Sequence, residues 1–126
     1  MYNIEVKNTG GYVFDVTAGD QTCKVDAKGN GMTPPGMLLA GLASCVGVYI
    51  RKYAEGAKLL IGEFEVSAEA EFTKEAPMRF GEIRITVDLK GAALDDRRKK
   101  ALTEFIKNCP VHNTMKGNPV IDMILM

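Results

Sequence analysis

The chain is expected to fold as an α+β domain, mainly antiparallel sheet around a buried central helix, in the order β-β-β-α-β-β-α-β. Three observations lead there: short β-favouring runs of alternating polarity, one long apolar run rich in small residues, and one amphipathic run that ends at a proline. Strands and helices mix without a repeating βαβ unit, which argues against a parallel sheet. With 126 residues, the chain fits a single domain over 1–126, since soluble domains most often hold roughly 100–150 residues.

Ile4-Glu5-Val6, Tyr12 to Val16 and Thr22 to Val25 are the opening strands, separated by Gly10-Gly11 and Gly19-Asp20. Those separators supply the positive φ that tight hairpins need, so the opening reads as a meander. Thr33-Pro34 then reads as a helix N-cap followed by proline at the first helical position, where its missing N–H costs nothing. The helix is expected to run to about Gly56, its first half apolar on every side as if surrounded by protein. Ala40, Gly41, Ala43, Ser44 and Gly47 keep it thin.

From Phe64 to Phe72 apolar and polar residues alternate, and Ile83, Ile85, Val87 and Leu89 repeat the pattern, with a hairpin through Ala76-Pro77 between them. Outward glutamates on the first run and Arg84 on the second are placed to face one another across the pair. Leu94, Arg98, Ala101, Leu102, Phe105, Ile106 and Cys109 recur at helical spacing behind Asp95-Asp96, and Pro110 restricts Cys109 to extended backbone, which should stop that helix. Val120 to Met126 is expected to form a closing strand.

Composition narrows the function. Sixteen basic residues balance sixteen acidic ones, and a pI of about 6.6 is far from the value of about 9 expected of a nucleic-acid-binding domain. The apolar helical stretch Met37–Ile50 is shorter than the roughly 20 residues needed to cross a bilayer. Met1 to Lys7 lacks the pattern of a secretory signal, so a cytoplasmic location is expected, with neither nucleic acid nor membrane as partner. Three cysteines in a reducing compartment make no disulfide framework, and none has the close spacing of a zinc site, so no metal is expected.

Any thiol chemistry must therefore use cysteines brought together by folding. Cys45 lies midway along the apolar helix, and on the residues alone it reads first as a small apolar filler. Cys109 opens Cys109-Pro110-Val111-His112-Asn113-Thr114, where helix meets proline and the backbone is irregular, so packing and function are both open. His112, the sole histidine, could exchange a proton with a thiol near neutral pH or simply cap a helix. Tyr49 and Leu42, on the helix that carries Cys45, could line a pocket or pack. Cys23 reads as an ordinary strand residue.

The loop ending in Thr33-Pro34, the run Leu38-Leu39-Ala40-Gly41-Leu42-Ala43-Ser44-Cys45 and the distal Cys109-Pro110-Val111-His112-Asn113-Thr114 together resemble the two signature regions of the OsmC/Ohr family, in the family's order and over nearly the whole chain. The resemblance implies an OsmC-like fold in an intertwined homodimer and a thiol-dependent peroxidase that reduces organic hydroperoxides. Cys45 would be the peroxidatic and Cys109 the resolving thiol. No cofactor is implied beyond an external dithiol reductant such as dihydrolipoamide. The chemistry is consistent with such a pair: a thiolate opens the O–O bond and becomes a sulfenic acid, which a second thiol closes to a disulfide. This requires Cα atoms within about 7 Å.

Burial raises a thiol's pKa, so the family peroxidases use an arginine from the N-terminal strands, held by a glutamate just after the loop proline. Here that position is Pro35, and no arginine precedes Arg51. The family's activation device is therefore absent in its usual form. Lys52 shares the helical face of Cys45 but sits about 10 Å further along the axis, too far to serve within one helix; Arg79, Arg84 or a residue of a second subunit could substitute, or be ordinary solvated charges. The alternative reading is an OsmC-fold protein, not a peroxidase, that binds small molecules or exchanges thiols and disulfides.

Overall fold

The computed structural model describes residues 1–126. Eight elements follow in order: β1 (Glu5–Asn8), β2 (Val13–Ala18), β3 (Gln21–Asp26), α1 (Pro34–Gly56), β4 (Glu65–Phe72), β5 (Phe80–Asp88), α2 (Asp96–Ile106) and α3 (Pro110–Lys116). The backbone forms two compact units, Met1–Ala40 and Gly41–Met126, and the boundary falls within α1.

The first unit is the expected meander, antiparallel in the order β1-β2-β3. Gly10, Gly11 and Gly19 at its turns all have positive φ, which glycine adopts without the steric penalty of a Cβ. Asp15 and Lys24 face each other across β2 and β3 and pair at 2.7 Å. The start of α1 is capped as anticipated: the Gly36 N–H donates to the Thr33 hydroxyl at 3.2 Å, and the Met37 N–H to the Thr33 carbonyl at 2.9 Å.

In the second unit β4 and β5 form an antiparallel hairpin whose register sets Val66 against Val87, Ala68 against Ile85 and Ala70 against Ile83. These residues are all half-buried, while Ser67 opposite Thr86 and Glu69 opposite Arg84 point to the exposed face. Glu65 and Asp88 meet as like charges, and Lys90 lies between them at 3.2 Å and 3.8 Å. That cation offsets a repulsion the pairing would otherwise carry. Arg84 is nearer its own strand's Glu82, at 4.0 Å, and makes no ion pair with the glutamates of β4.

The core is built on one stripe of α1. Leu42, Val46, Ile50 and Ala54 recur every four residues and are its buried positions, as an i, i+4 row on one helix face should be. Val46, Ile50 and Ala54 cluster with Ile61 and Leu102, against Phe64, Val66, Ile85, Val87 and Ile106. Gly47 lies under the hairpin, with Phe64 and Val66 in ordinary contact distance of where a Cβ would stand. Burial is confined to that stripe: Met37, Leu38 and Val48 are exposed in the single chain.

Two features depart from the sequence-based order. The amphipathic run ends earlier than its periodicity implied, with α2 closing at Ile106 and Lys107 as C-cap, and a third helix follows. Proline stops one helix and pre-sets the φ of the next, so Pro110 sits at the first position of α3. The expected closing strand over Val120–Met126 is absent. A strand exists only through hydrogen bonds to a neighbour, and this segment pairs with no strand of the chain and is exposed throughout, Leu125 completely.

Arg51 fixes the segment after α1. Its guanidinium donates to the Ile61 carbonyl at 2.6 Å and the Gly62 carbonyl at 2.9 Å and lies 4.9 Å above the Phe64 ring. In urea denaturation, Ile50→Ala, which empties a wholly buried position, is expected to cost about 3 kcal/mol. Arg51→Met, which keeps the stem but loses two part-exposed hydrogen bonds, is expected to cost about 1 kcal/mol.

Candidate thiol site

Cys45 and Cys109 meet within the second unit. Cys45 projects from the middle of α1 and is half-buried, whereas Cys109 is the N-cap residue of α3 and is fully buried. The local sequence explains the second placement. Cys109 takes φ −57° and ψ 121°, the extended backbone required of a residue before proline. Its N–H donates to the Ile106 carbonyl at 3.0 Å, and its own carbonyl accepts from the Asn113 N–H at 3.0 Å. Its backbone is thus held by both flanking helices, and its sulfur accepts a 3.5 Å hydrogen bond from the His112 N–H.

The first N–H groups of a helix have no intrahelical acceptor. In α3, Pro110 has no N–H to offer, the Val111 N–H is directed at the Cys45 sulfur, and the His112 N–H at the Cys109 sulfur. Two otherwise orphaned donors therefore serve the two thiols.

Burial pushes the Cys45 thiol above its ordinary value, and the Cys109 thiol adds to this both as a hydrogen-bond partner and as a like charge. The Val111 N–H and, more weakly, the Lys52 ammonium pull in the other direction without cancelling the rise. A raised thiol pKa means less thiolate at neutral pH and a steeper gain on alkalinisation.

Tyr49, one turn after Cys45, packs on Phe105 of α2 with ring centroids 5.8 Å apart, and Tyr53 meets the same ring at 5.5 Å. Leu42, almost a turn before Cys45, is buried. His112 is half-buried, and its Nδ1 is buried without a hydrogen-bond partner. Cys23 is exposed on β3. Arg51 is committed to the Ile61 and Gly62 carbonyls, Arg79 donates to the Pro77 carbonyl of its own hairpin at 3.1 Å, and Arg84 neighbours Glu82. A cleft of about 720 Å³ in the second unit lies between β5 and α2 and is lined by Val87, Leu89, Lys99, Leu102, Thr103 and Ile106 among others. Neither cysteine lines it.

Sequence reasoning did not find the Val111 N–H, because a backbone donor leaves no mark in residue identity. It dismissed Lys52 on axial distance, yet the ammonium lies 4.8 Å above the Tyr49 ring. The signal was the Cys45, Tyr49, Lys52 spacing of four and then three residues along one face.

An α+β fold in which a mid-helix cysteine meets a second cysteine at the start of a later helix defines a paired-thiol protein. The family model described as OsmC-like protein matches residues 27–124, and the chain belongs to that family. Its fold is similar to that of an OsmC-like protein from Mycoplasma pneumoniae, with TM-score 0.81 at 20% identity over 93% of this chain and 88% of that one. It is also similar to the organic hydroperoxide resistance protein OsmC from Legionella pneumophila, with TM-score 0.65 at 21% identity over 94% and 92%. A hydroperoxide resistance protein from Elizabethkingia anophelis gives TM-score 0.67 at 22% identity over 94% and 91%. No curated protein sequence matches the chain. No helix is long and apolar enough to cross a membrane.

The reactivity of Cys45 toward iodoacetamide, followed by mass spectrometry of its peptide, is expected to keep rising with pH beyond the ordinary cysteine value of about 8.5. A midpoint at or below that value would contradict the balance of burial and charge described for this thiol.

Proposed function

We propose that the chain is a thiol-dependent peroxidase that reduces organic hydroperoxides through Cys45 and Cys109. One observation carries this reading: Cys45 and Cys109 are close neighbours that act on one another, and the Cys109 sulfur is held by the His112 N–H at 3.5 Å. The names of the structural neighbours from Legionella pneumophila and Elizabethkingia anophelis agree with it.

The steps balance. The Cys45 thiolate gives an electron pair to the outer peroxide oxygen, the O–O bond breaks, and the alkoxide leaves and takes a proton as the alcohol. Cys45 is then a sulfenic acid. The Cys109 sulfur attacks the Cys45 sulfur, a disulfide forms, and the hydroxyl departs as water with the Cys109 proton. An external dithiol such as dihydrolipoamide reduces the disulfide by two exchange steps and is itself oxidised to a disulfide, restoring both thiols. Cys45 is the half-buried sulfur and Cys109 the fully buried one, which suits attack on peroxide by the first and resolution by the second.

The working form in this reading is an intertwined homodimer. Val6, Val48 and the apolar run Val120–Met126 are exposed in the single chain, and a second copy could cover them and complete the wall of a pocket at Cys45, with Leu42 and Tyr49 toward the alkyl group and His112 as a proton donor. The reducing cytoplasm suits three unbridged cysteines.

A second reading is thiol–disulfide exchange without peroxide turnover. The raised Cys45 thiol and the commitment of Arg51 to two carbonyls favour it.

Consumption of cumene hydroperoxide with dihydrolipoamide is the test. Turnover is expected in the unsubstituted chain and a loss of about a hundredfold or more in Cys45→Ser, which lacks the nucleophile. Cys109→Ser is expected to reduce one equivalent and then accumulate over-oxidised Cys45. Disulfide formation without turnover would replace the peroxidase reading with exchange. Sedimentation is expected to give a dimer, and removal of residues 120–126 to shift it toward monomer.

A further inference from the structure

Attack by thiolate requires a positive charge near a sulfur that its surroundings keep neutral, and Arg51, Arg79 and Arg84 are engaged elsewhere. We propose that Lys52 is the positioning residue for the Cys45 thiolate, its ammonium folded back along α1 over the Tyr49 ring toward the sulfur. The inference rests on the reading that Cys45 reacts as the thiolate, and it names the group that supports that form.

The geometry begins with helical spacing. Cys45, Tyr49 and Lys52 fall at i, i+4 and i+7 on α1, and helical side chains lean toward the N-terminus, so a long side chain at 52 is directed back over 49 and toward 45. Lys52 Nζ lies 4.8 Å from the Tyr49 ring centroid, a cation–π distance. Tyr49 is itself braced on Phe105 at 5.8 Å, so the platform under the ammonium is fixed by α2. Lys24, Lys90 and Lys107 each hold a carboxylate within 4.0 Å, and Arg84 lies near Glu82, but Lys52 takes part in no ion pair. Its charge is therefore not neutralised locally.

The charged and titratable groups that act on Cys45 are Lys52 from its own helix and Cys109 from the junction of α2 and α3. His112 of α3 contributes its backbone N–H to Cys109. Lys52 is the sole cation in this set that lowers the cost of a thiolate. Because Lys52 is exposed, its influence should be modest and salt-sensitive.

The experiment measures iodoacetamide alkylation of Cys45 across pH in the full chain, with the exposed Cys23 in the same molecule as the rate reference. Lys52→Met is expected to slow Cys45 relative to Cys23 by about threefold to tenfold near neutral pH and to move its midpoint upward. Lys52→Arg is expected to restore the profile, and a salt concentration of about 1 M to erase most of the difference between Lys52→Met and the unsubstituted chain. An unchanged Cys45 profile in Lys52→Met overturns the inference. Should that variant fold poorly, the salt response of the unsubstituted chain decides: slowing of Cys45 relative to Cys23 supports the role, and no slowing overturns it. Alkylation needs no peroxide, so a Lys52-dependent profile in a chain that fails to turn over hydroperoxide supports this inference and removes only the peroxidase reading.

Discussion

The approach of Cys109 to Cys45 depends on a proline. Pro110 cannot extend α2, it forces extended backbone on Cys109, and it starts α3 one residue later. Without that break the periodic run would carry Cys109 onward as one more helical residue, and its sulfur would not sit at a helix start where N–H groups are free. The buried stripe Val46, Ile50 and Ala54, meeting Leu102 of α2, supplies the other half of the constraint. One side chain of that contact, Val46, directly follows Cys45, so the packing that fixes the rotation of α1 about its axis also fixes where the neighbouring sulfur points.

This placement creates an electrostatic conflict. The burial that holds two thiols together also penalises the charged form that reacts, and the Cys109 thiol opposes ionisation of Cys45. The chain answers with weak local devices: backbone donors at the start of α3 and a lysine laid over a tyrosine. In the family peroxidases a held arginine does this work, whereas Arg51 here is spent on carbonyls that fix the segment leading to β4. A fold can keep its paired thiols while redistributing its cations between structure and chemistry, and the resulting reactivity follows from that division.

Much of the fold was legible because its signals are local. Alternation in Phe64–Phe72 and Ile83–Leu89 became a hairpin in the register that alternation demands, and Thr33-Pro34 became a capped helix start. The cysteine pair was legible through its resemblance to a family and through Pro110. What escaped depends on three-dimensional context. The heptapeptide helix α3 is too short to show a period, and the Val111 donor is backbone. The reach of Lys52 depends on a rotamer rather than on the position of its Cα. Val120–Met126 has the composition of a strand, but composition cannot supply the neighbour a strand needs.

The most direct measurement is a non-reducing peptide map after one equivalent of an organic hydroperoxide. The account requires the peptides of Cys45 and Cys109 to appear as a single cross-linked species, with Cys23 left as a free thiol. Recovery of Cys45 as sulfinic acid beside an unmodified Cys109, or of a cross-link through Cys23, would contradict it.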